Sequence, residues 1–76
     1  MTSQEVRNLR AACKQAREAG VFPDFRRSYR QYRMSHESVR EAAWRACYDW
    51  DALNVDANGR LYIGPIFLNP DGDKVE

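Results

Sequence analysis

Long apolar runs are missing from this chain. No stretch approaches the ~18 consecutive apolar residues that a membrane-spanning helix needs. The first residues, Met1-Thr-Ser-Gln-Glu5, do not open a signal peptide. The chain is therefore expected in the cytoplasm, with no membrane partner. Cysteine is scarce. Cys13 and Cys47 lie far apart with no Cys-x-x-Cys between them, so buried free thiols are expected rather than a disulfide or a metal site. Histidine occurs once, as His36, and neither a Gly-rich phosphate loop nor a nucleophile elbow is present. Catalysis is not expected on these grounds, and neither is a cofactor. Lysine is also sparse: Lys14 and Lys74 stand against ten arginines. Arginine forks onto phosphate or carboxylate better than lysine does, which turns attention to binding.

What remains is a chain of 76 residues, 43% of them hydrophobic. That length makes one domain, residues 1–76, with a thin core. The hydrophobic content is enough to fold. The formal net charge is only +1, but it is unevenly spread. Residues 1–48 hold ten basic and five acidic side chains, a balance of +5, and residues 49–76 hold two basic and six acidic ones, a balance of −4. A basic body with an acidic tail suits an anionic partner, and equally a tail that folds back on its own body.

Periodicity predicts three helices. The first covers about residues 3–19. Thr2 or Ser3 can cap it, Thr2 with Glu5 gives capping-box spacing, and Gly20 is a stop signal with Pro23 just beyond. Val6, Leu9, Cys13 and Ala16 form its apolar stripe, with Arg7, Arg10, Lys14 and Arg17 in a basic stripe beside it. The second helix covers about residues 24–33. Phe25, Tyr29 and Tyr32 face inward, while Arg26, Arg30 and Arg33 share an outward face. Like charges a turn apart cost a few tenths of a kcal/mol each, so that face is expected either to be well solvated or to meet an anion.

A third helix is expected over residues 36–53, capped by Ser35. Val39, Ala43, Ala46, Trp50 and Leu53 fall on one face, with Trp50 as its largest core residue. The opposite face carries Glu37, Glu41, Trp44 and Tyr48, and such an aromatic patch needs cover from the chain's own tail or from a partner. After Leu53 the pattern changes to turns and short strands. Asp56-Ala-Asn-Gly59 and Asn69-Pro-Asp-Gly72 are turn signals, and Leu61-Tyr-Ile63 and Ile66-Phe-Leu68 read as strands. Asn54-x-Asp56-x-Asn58-Gly59 also matches the first half of a calcium loop. The position that should supply a bidentate Glu is Pro65, so a plain turn is expected and no metal. The fold class is α+β: a three-helix bundle followed by a small C-terminal β-hairpin or extended arm over residues 54–76.

The run Met34-Ser-His-Glu-Ser-Val-Arg-Glu-Ala42 resembles the recognition-helix start of winged-helix regulators of the GntR type. If the hairpin is taken as the wing, the resemblance covers about residues 24–63. Tyr29 stands where that motif prefers a small residue, and Arg33 where it prefers Gly in the turn. The resemblance implies a helix-turn-helix that binds double-stranded DNA through the second and third helices. Arg40 would fork onto a guanine edge, Ser35 and Ser38 would bond phosphate, and His36 would stand at the start of the reading helix. Arg26, Arg27, Arg30 and Arg33 would supply most of the affinity. A homodimer is compatible with this reading.

A second class fits the same residues. Small proteins encoded by phages and mobile elements occupy host enzymes, and such an inhibitor could aim Arg7, Arg10, Lys14 and Arg17 at an acidic groove of a bacterial host protein. Trp44 and Tyr48 would be its anchors, since Tyr, Trp and Arg are enriched in binding hot spots. The leading expectation is a small non-enzymatic regulator, of phage or mobile-element type, that binds DNA.

Overall fold

A computed structural model describes residues 1–64 of the chain. Its order is α1 (Ser3–Glu18), α2 (Phe22–Met34), α3 (Val39–Asp49), β1 (Asn54–Val55) and β2 (Leu61–Tyr62). The three helices pack on one another and the two strands form an antiparallel hairpin, so the α+β class read from the sequence is the class observed. The strand expected at Ile66–Leu68 and the turn expected at Asn69–Gly72 lie outside the described residues.

Local chemistry fixes where each helix starts. At α1 the Thr2 hydroxyl accepts from the Glu5 N–H at 3.1 Å, and the Thr2 N–H donates back to Glu5 Oε1 at 2.8 Å. This is the capping box that the spacing predicted. α2 starts at Phe22, two residues earlier than expected, because Pro23 sits within its first turn. The missing N–H of proline costs nothing there, since the first-turn donors have no intrahelical partner anyway. α3 starts at Val39, three residues later than expected. Ser38, not Ser35, is its cap, with Ser38 Oγ accepting from the Glu41 N–H at 3.1 Å.

All three helices stop the same way. The residue after the cap adopts left-handed backbone, and its N–H and the next one fold back onto the last turn. Gly20 (φ 77°) does this for α1, His36 (φ 69°) for α2 and Asp51 (φ 56°) for α3. The paired bonds are Gly20 N–H to Arg17 and Val21 N–H to Ala16, His36 to Arg33 and Glu37 to Tyr32, and Asp51 to Tyr48 and Ala52 to Cys47. Only the first stop carries the glycine that makes such an ending legible. The third helix therefore ends at Asp49 rather than near Leu53, which puts Trp50 outside it.

That ending corrects the core. Trp50 is 38% exposed, with its indole N–H donating to Ser28 Oγ at 2.9 Å. The largest fully buried side chains are instead Phe25, Ile63, Val39 and Cys47. Between the helices lie Ala12, Ala16, Ala42, Ala43 and Ala46, each fully buried. Alanine surfaces let helix axes approach closely, and Ile63 from the hairpin joins the same cluster.

The buried face of α1 is also rotated from the expected stripe. Val6 is 38% exposed, while Asn8 and Gln15 are buried. Gln15 explains the rotation. Its amide N–H groups donate to the carbonyls of Ala52 (2.7 Å) and Tyr62 (3.3 Å). Its Oε1 accepts from Asn54 Nδ2 (3.0 Å) and the Gly64 N–H (3.1 Å). One polar side chain thus ties α1 to the end of α3 and to both strands.

The hairpin pairs Asn54 with Tyr62 and Val55 with Leu61. Its turn is closed by the Gly59 N–H donating to the Asp56 carbonyl at 3.0 Å, with Gly59 at φ 79°. Asp56 Oδ1 accepts from the Asn58 and Arg60 N–H groups, and Oδ2 pairs with the Arg60 guanidinium. This carboxylate is spent on its own turn, as the plain-turn reading requires.

Candidate functional site

Two surfaces carry the residues singled out in the sequence. The first is the outer side of α1 and α2. Arg7, Arg10, Lys14 and Arg17 on α1, and Arg26, Arg27, Arg30 and Arg33 on α2, are all exposed. Some of them have local work. Lys14 pairs with Glu18 at 3.9 Å, and Arg27 with Asp24 at 3.2 Å. Arg33 donates to the Glu37 carbonyl at 2.7 Å. Arg7, Arg10, Arg26 and Arg30 have no acidic partner among the described residues. Pro23, Arg26, Arg27, Arg30 and Gln31 line a shallow open groove on α2.

Aromatic rings also line up along α2. Phe22, Phe25 and Tyr29 form a ladder with centroids 6.1 Å apart at each step and planes inclined by 28° and 20°. Phe25 is buried, while Phe22 and Tyr29 are half-buried. The Arg17 guanidinium of α1 lies 4.4 Å from the Phe22 ring centroid, a cation–π contact that joins the two helices. Burial pushes the Tyr29 hydroxyl above its ordinary value, with Arg33 opposing the shift and Cys13 and Glu5 of α1 adding to it. Tyr29 therefore sits at the α1–α2 seam, within reach of Arg33.

The second surface is the outer side of α3. Arg45 pairs with Glu37 at 3.2 Å and with Glu41 at 3.1 Å. The Tyr32 hydroxyl donates to Asp49 at 2.5 Å, and that bond is the main reason its titration moves up. Trp44 and Tyr48 stack at 5.2 Å with planes 19° apart. Tyr48 is 57% exposed. The Trp44 indole N–H is shielded from solvent and has no hydrogen-bond partner among the described residues. The cover for Trp44 foreseen from the tail falls outside the described residues.

The residues named for DNA reading are divided by this geometry. Arg26, Arg27, Arg30 and Arg33 share one basic side of α2. Ser35, His36 and Ser38 do not lie on α3 at all: Ser35 ends α2, His36 is the left-handed stop, and Ser38 Oγ is held by its capping bond. Arg40 is on α3 but half-buried, with one terminal nitrogen shut off from solvent. Of the residues named for a protein partner, Trp44 and Tyr48 are brought together, whereas Arg7, Arg10, Lys14 and Arg17 lie on the α1 surface. Sequence reasoning missed Phe22, Arg45 and Asp49. Phe22 is legible once Pro23 is placed in the first turn of the helix: Phe22, Arg26, Tyr29 and Arg33 recur at i, i+4, i+7 and i+11.

Burial disfavours the thiolate at both cysteines. Cys47 is buried, with its titration pushed up to about 12 by burial, and its S–H faces the Ala12 carbonyl at 3.8 Å. Burial also raises Cys13, with Arg17 opposing. Both are free. Among the described residues no group of three His, Cys, Asp or Glu side chains is placed to hold a metal, and no helix is long and apolar enough to cross a membrane.

Fold and surfaces together define a small three-helix α+β domain with one arginine-rich side. No protein-family model, curated protein or solved structure matches the chain.

Proposed function

We propose that this protein is a small non-enzymatic regulator that binds nucleic acid through the arginine side of α1 and α2. The observation that carries the reading is the contrast among its arginines. Arg27, Arg45 and Arg60 each pair with a neighbouring carboxylate. Arg7, Arg10, Arg26 and Arg30 stand exposed without one among the described residues, although α2 places Arg26, Arg27, Arg30 and Arg33 within two turns of one another. Unrelieved like charge is an energetic cost in the free protein and an asset against a polyphosphate, where each contact also releases counterions.

The contact is placed on α1 and α2 because of what α3 offers outward. Glu41 and Asp49 lie on that helix and Glu37 just before it, and carboxylates beside phosphates are repelled. A duplex docked with α3 in its major groove is the rival geometry that a helix-turn-helix implies.

The test is a mobility shift and a salt titration with labelled DNA. Contacts to about four phosphates predict a log–log salt slope near −3.6 on duplex. Reversing Arg26 and Arg30 together to Glu should abolish retention without altering the helical circular dichroism. Absence of any retained nucleic acid at ~50 mM salt would sink the reading.

One observation favours a second reading. The stacked Trp44–Tyr48 pair, exposed at Tyr48, has the composition of a protein-binding anchor. Were a host protein the partner, Trp44→Ala and Tyr48→Ala would each weaken that complex by ~2 kcal/mol or more. Nucleic-acid binding would then be absent in wild type and variants alike.

A further inference from the structure

The basic side of α2 is not only basic. Phe22, Arg26, Tyr29 and Arg33 fall on one helical row, so rings and guanidinium groups alternate along it. The two rings are half-buried and flank the buried Phe25 in a continuous ladder of 6.1 Å steps. At the amino-terminal end of this row Arg17 reaches over from α1 and lays its guanidinium above Phe22, 4.4 Å from the ring centroid. Arg26 in the row and Arg30 beside it have no acidic partner among the described residues.

A duplex offers such a row only its phosphates, because its bases are stacked on each other. A single strand offers both phosphates and unstacked bases. Aromatic faces and guanidinium planes accept bases of any sequence, while arginines between them hold the backbone. The α3 surface provides the contrast. Trp44 and Tyr48 also stack, but Glu41 and Asp49 share their helix and Glu37 precedes it, and these carboxylates disfavour a phosphate backbone there.

We propose that the row Phe22–Arg26–Tyr29–Arg33, together with Arg17 over Phe22, is a stacking and phosphate track for single-stranded nucleic acid. The inference rests on the nucleic-acid reading above and narrows it to the unpaired strand. One base stacks on the outer face of the Arg17 guanidinium, which Phe22 supports from below. A second stacks against Tyr29. Arg26 and Arg30 take the phosphates between them.

The experiment compares wild-type binding to a fluorescent oligo-dT of about twelve nucleotides with binding to a mixed-sequence duplex of the same length, by anisotropy at fixed salt. The oligo-dT should bind about tenfold tighter, despite its lower charge density. Phe22→Leu and Tyr29→Leu keep apolar volume and remove the ring, and each should weaken the oligo-dT complex by about tenfold, the scale of one lost base stack. Tyr29→Phe keeps the ring and should bind as wild type does. Thermal unfolding accompanies each variant, and the wild-type strand preference stands even where a Leu variant fails to fold. Duplex binding equal to or tighter than oligo-dT, or folded Leu variants that bind oligo-dT normally, overturns the single-strand track while leaving the nucleic-acid reading intact. Binding of neither probe removes both.

Discussion

The two outer sides of the bundle manage charge in opposite ways. On the α3 side the charges are answered nearby, Arg45 by Glu37 and Glu41 and Asp49 by Tyr32, and just past the helix Trp50 bonds to Ser28. On α1 and α2 four arginines are exposed with no carboxylate partner among the described residues. Both sides sit on the same alanine-lined core, so packing does not account for the difference. A surface whose side chains satisfy each other contributes to stability and has little left to offer a ligand. One whose charges are left open contributes nothing to folding and keeps its donors available. The contrast therefore assigns stability to one side and binding to the other, and each assignment can be broken separately.

The largest effect should come from the inner face of α1, at Gln15, where satisfied polar groups hold the hairpin. Leucine there would leave the Ala52 and Tyr62 carbonyls, the Asn54 amide and the Gly64 N–H without their present partner. A buried polar group left unpaired costs about 1–3 kcal/mol, and several are involved. Gln15→Leu should lose about 3 kcal/mol in urea unfolding, a large share of the stability of so small a domain. A variant with an unchanged midpoint would show that the hairpin does not depend on this side chain, and the stability argument would lose its main support.

A middle-sized effect separates the two sides directly. Trp50→Ala removes a partly exposed ring and its bond to Ser28, and should cost about 1–2 kcal/mol, below the ~3–5 kcal/mol of a fully buried aromatic. Arg26→Ala and Arg30→Ala together should move stability by no more than ~0.5 kcal/mol, and toward greater stability if mutual repulsion is felt. Urea midpoints of the variants decide this. A larger loss from the arginine pair than from Trp50 would mean that the open side also holds the fold.

Much of this architecture is legible in the chain, and the misses fall where residues depart from the usual local patterns. The capping box at Thr2–Glu5, the stop at Gly20, the inward Phe25 and the turn at Asp56–Gly59 are local patterns, and each is where the residues place it. His36 and Asp51 end helices in left-handed backbone without being glycine, so α3 was read too long at both ends and Trp50 was carried into the core with it. Gln15 escaped notice because apolar periodicity has no place for a buried amide, although its four bonds fix which face of α1 turns inward. Ile63 closes the core from just beyond a two-residue strand, too short to signal its importance. In the candidate site, the arginines of α2 were visible as a stripe, whereas the interleaved rings needed Phe22 to be inside the helix. That required Pro23 to be read as a first-turn residue rather than a stop.

The smallest effect concerns pH, and it tests whether the self-answered surface is tuned by its own charges. Asp56 is held below the ordinary carboxylate range, chiefly by the Arg60 N–H, with the Asn58 N–H and the Arg60 guanidinium adding to it. A group whose folded value is depressed contributes stability that is fully present above its unfolded value of ~3.9 and is lost as pH falls through the folded one. Acidification from pH 6 toward pH 3 should therefore loosen the hairpin turn, seen as a fall in amide-exchange protection at Asn58 and Arg60. Asp56→Asn retains an oxygen that can accept the Asn58 N–H but does not titrate, so in that variant the protection should no longer change across the window. Arginine stays charged throughout this range, so acid alone does not discharge the α1–α2 side. Equal acid sensitivity of the turn in wild type and Asp56→Asn would remove this carboxylate as its cause, and with it the claim that the hairpin is held by the charges on its own surface.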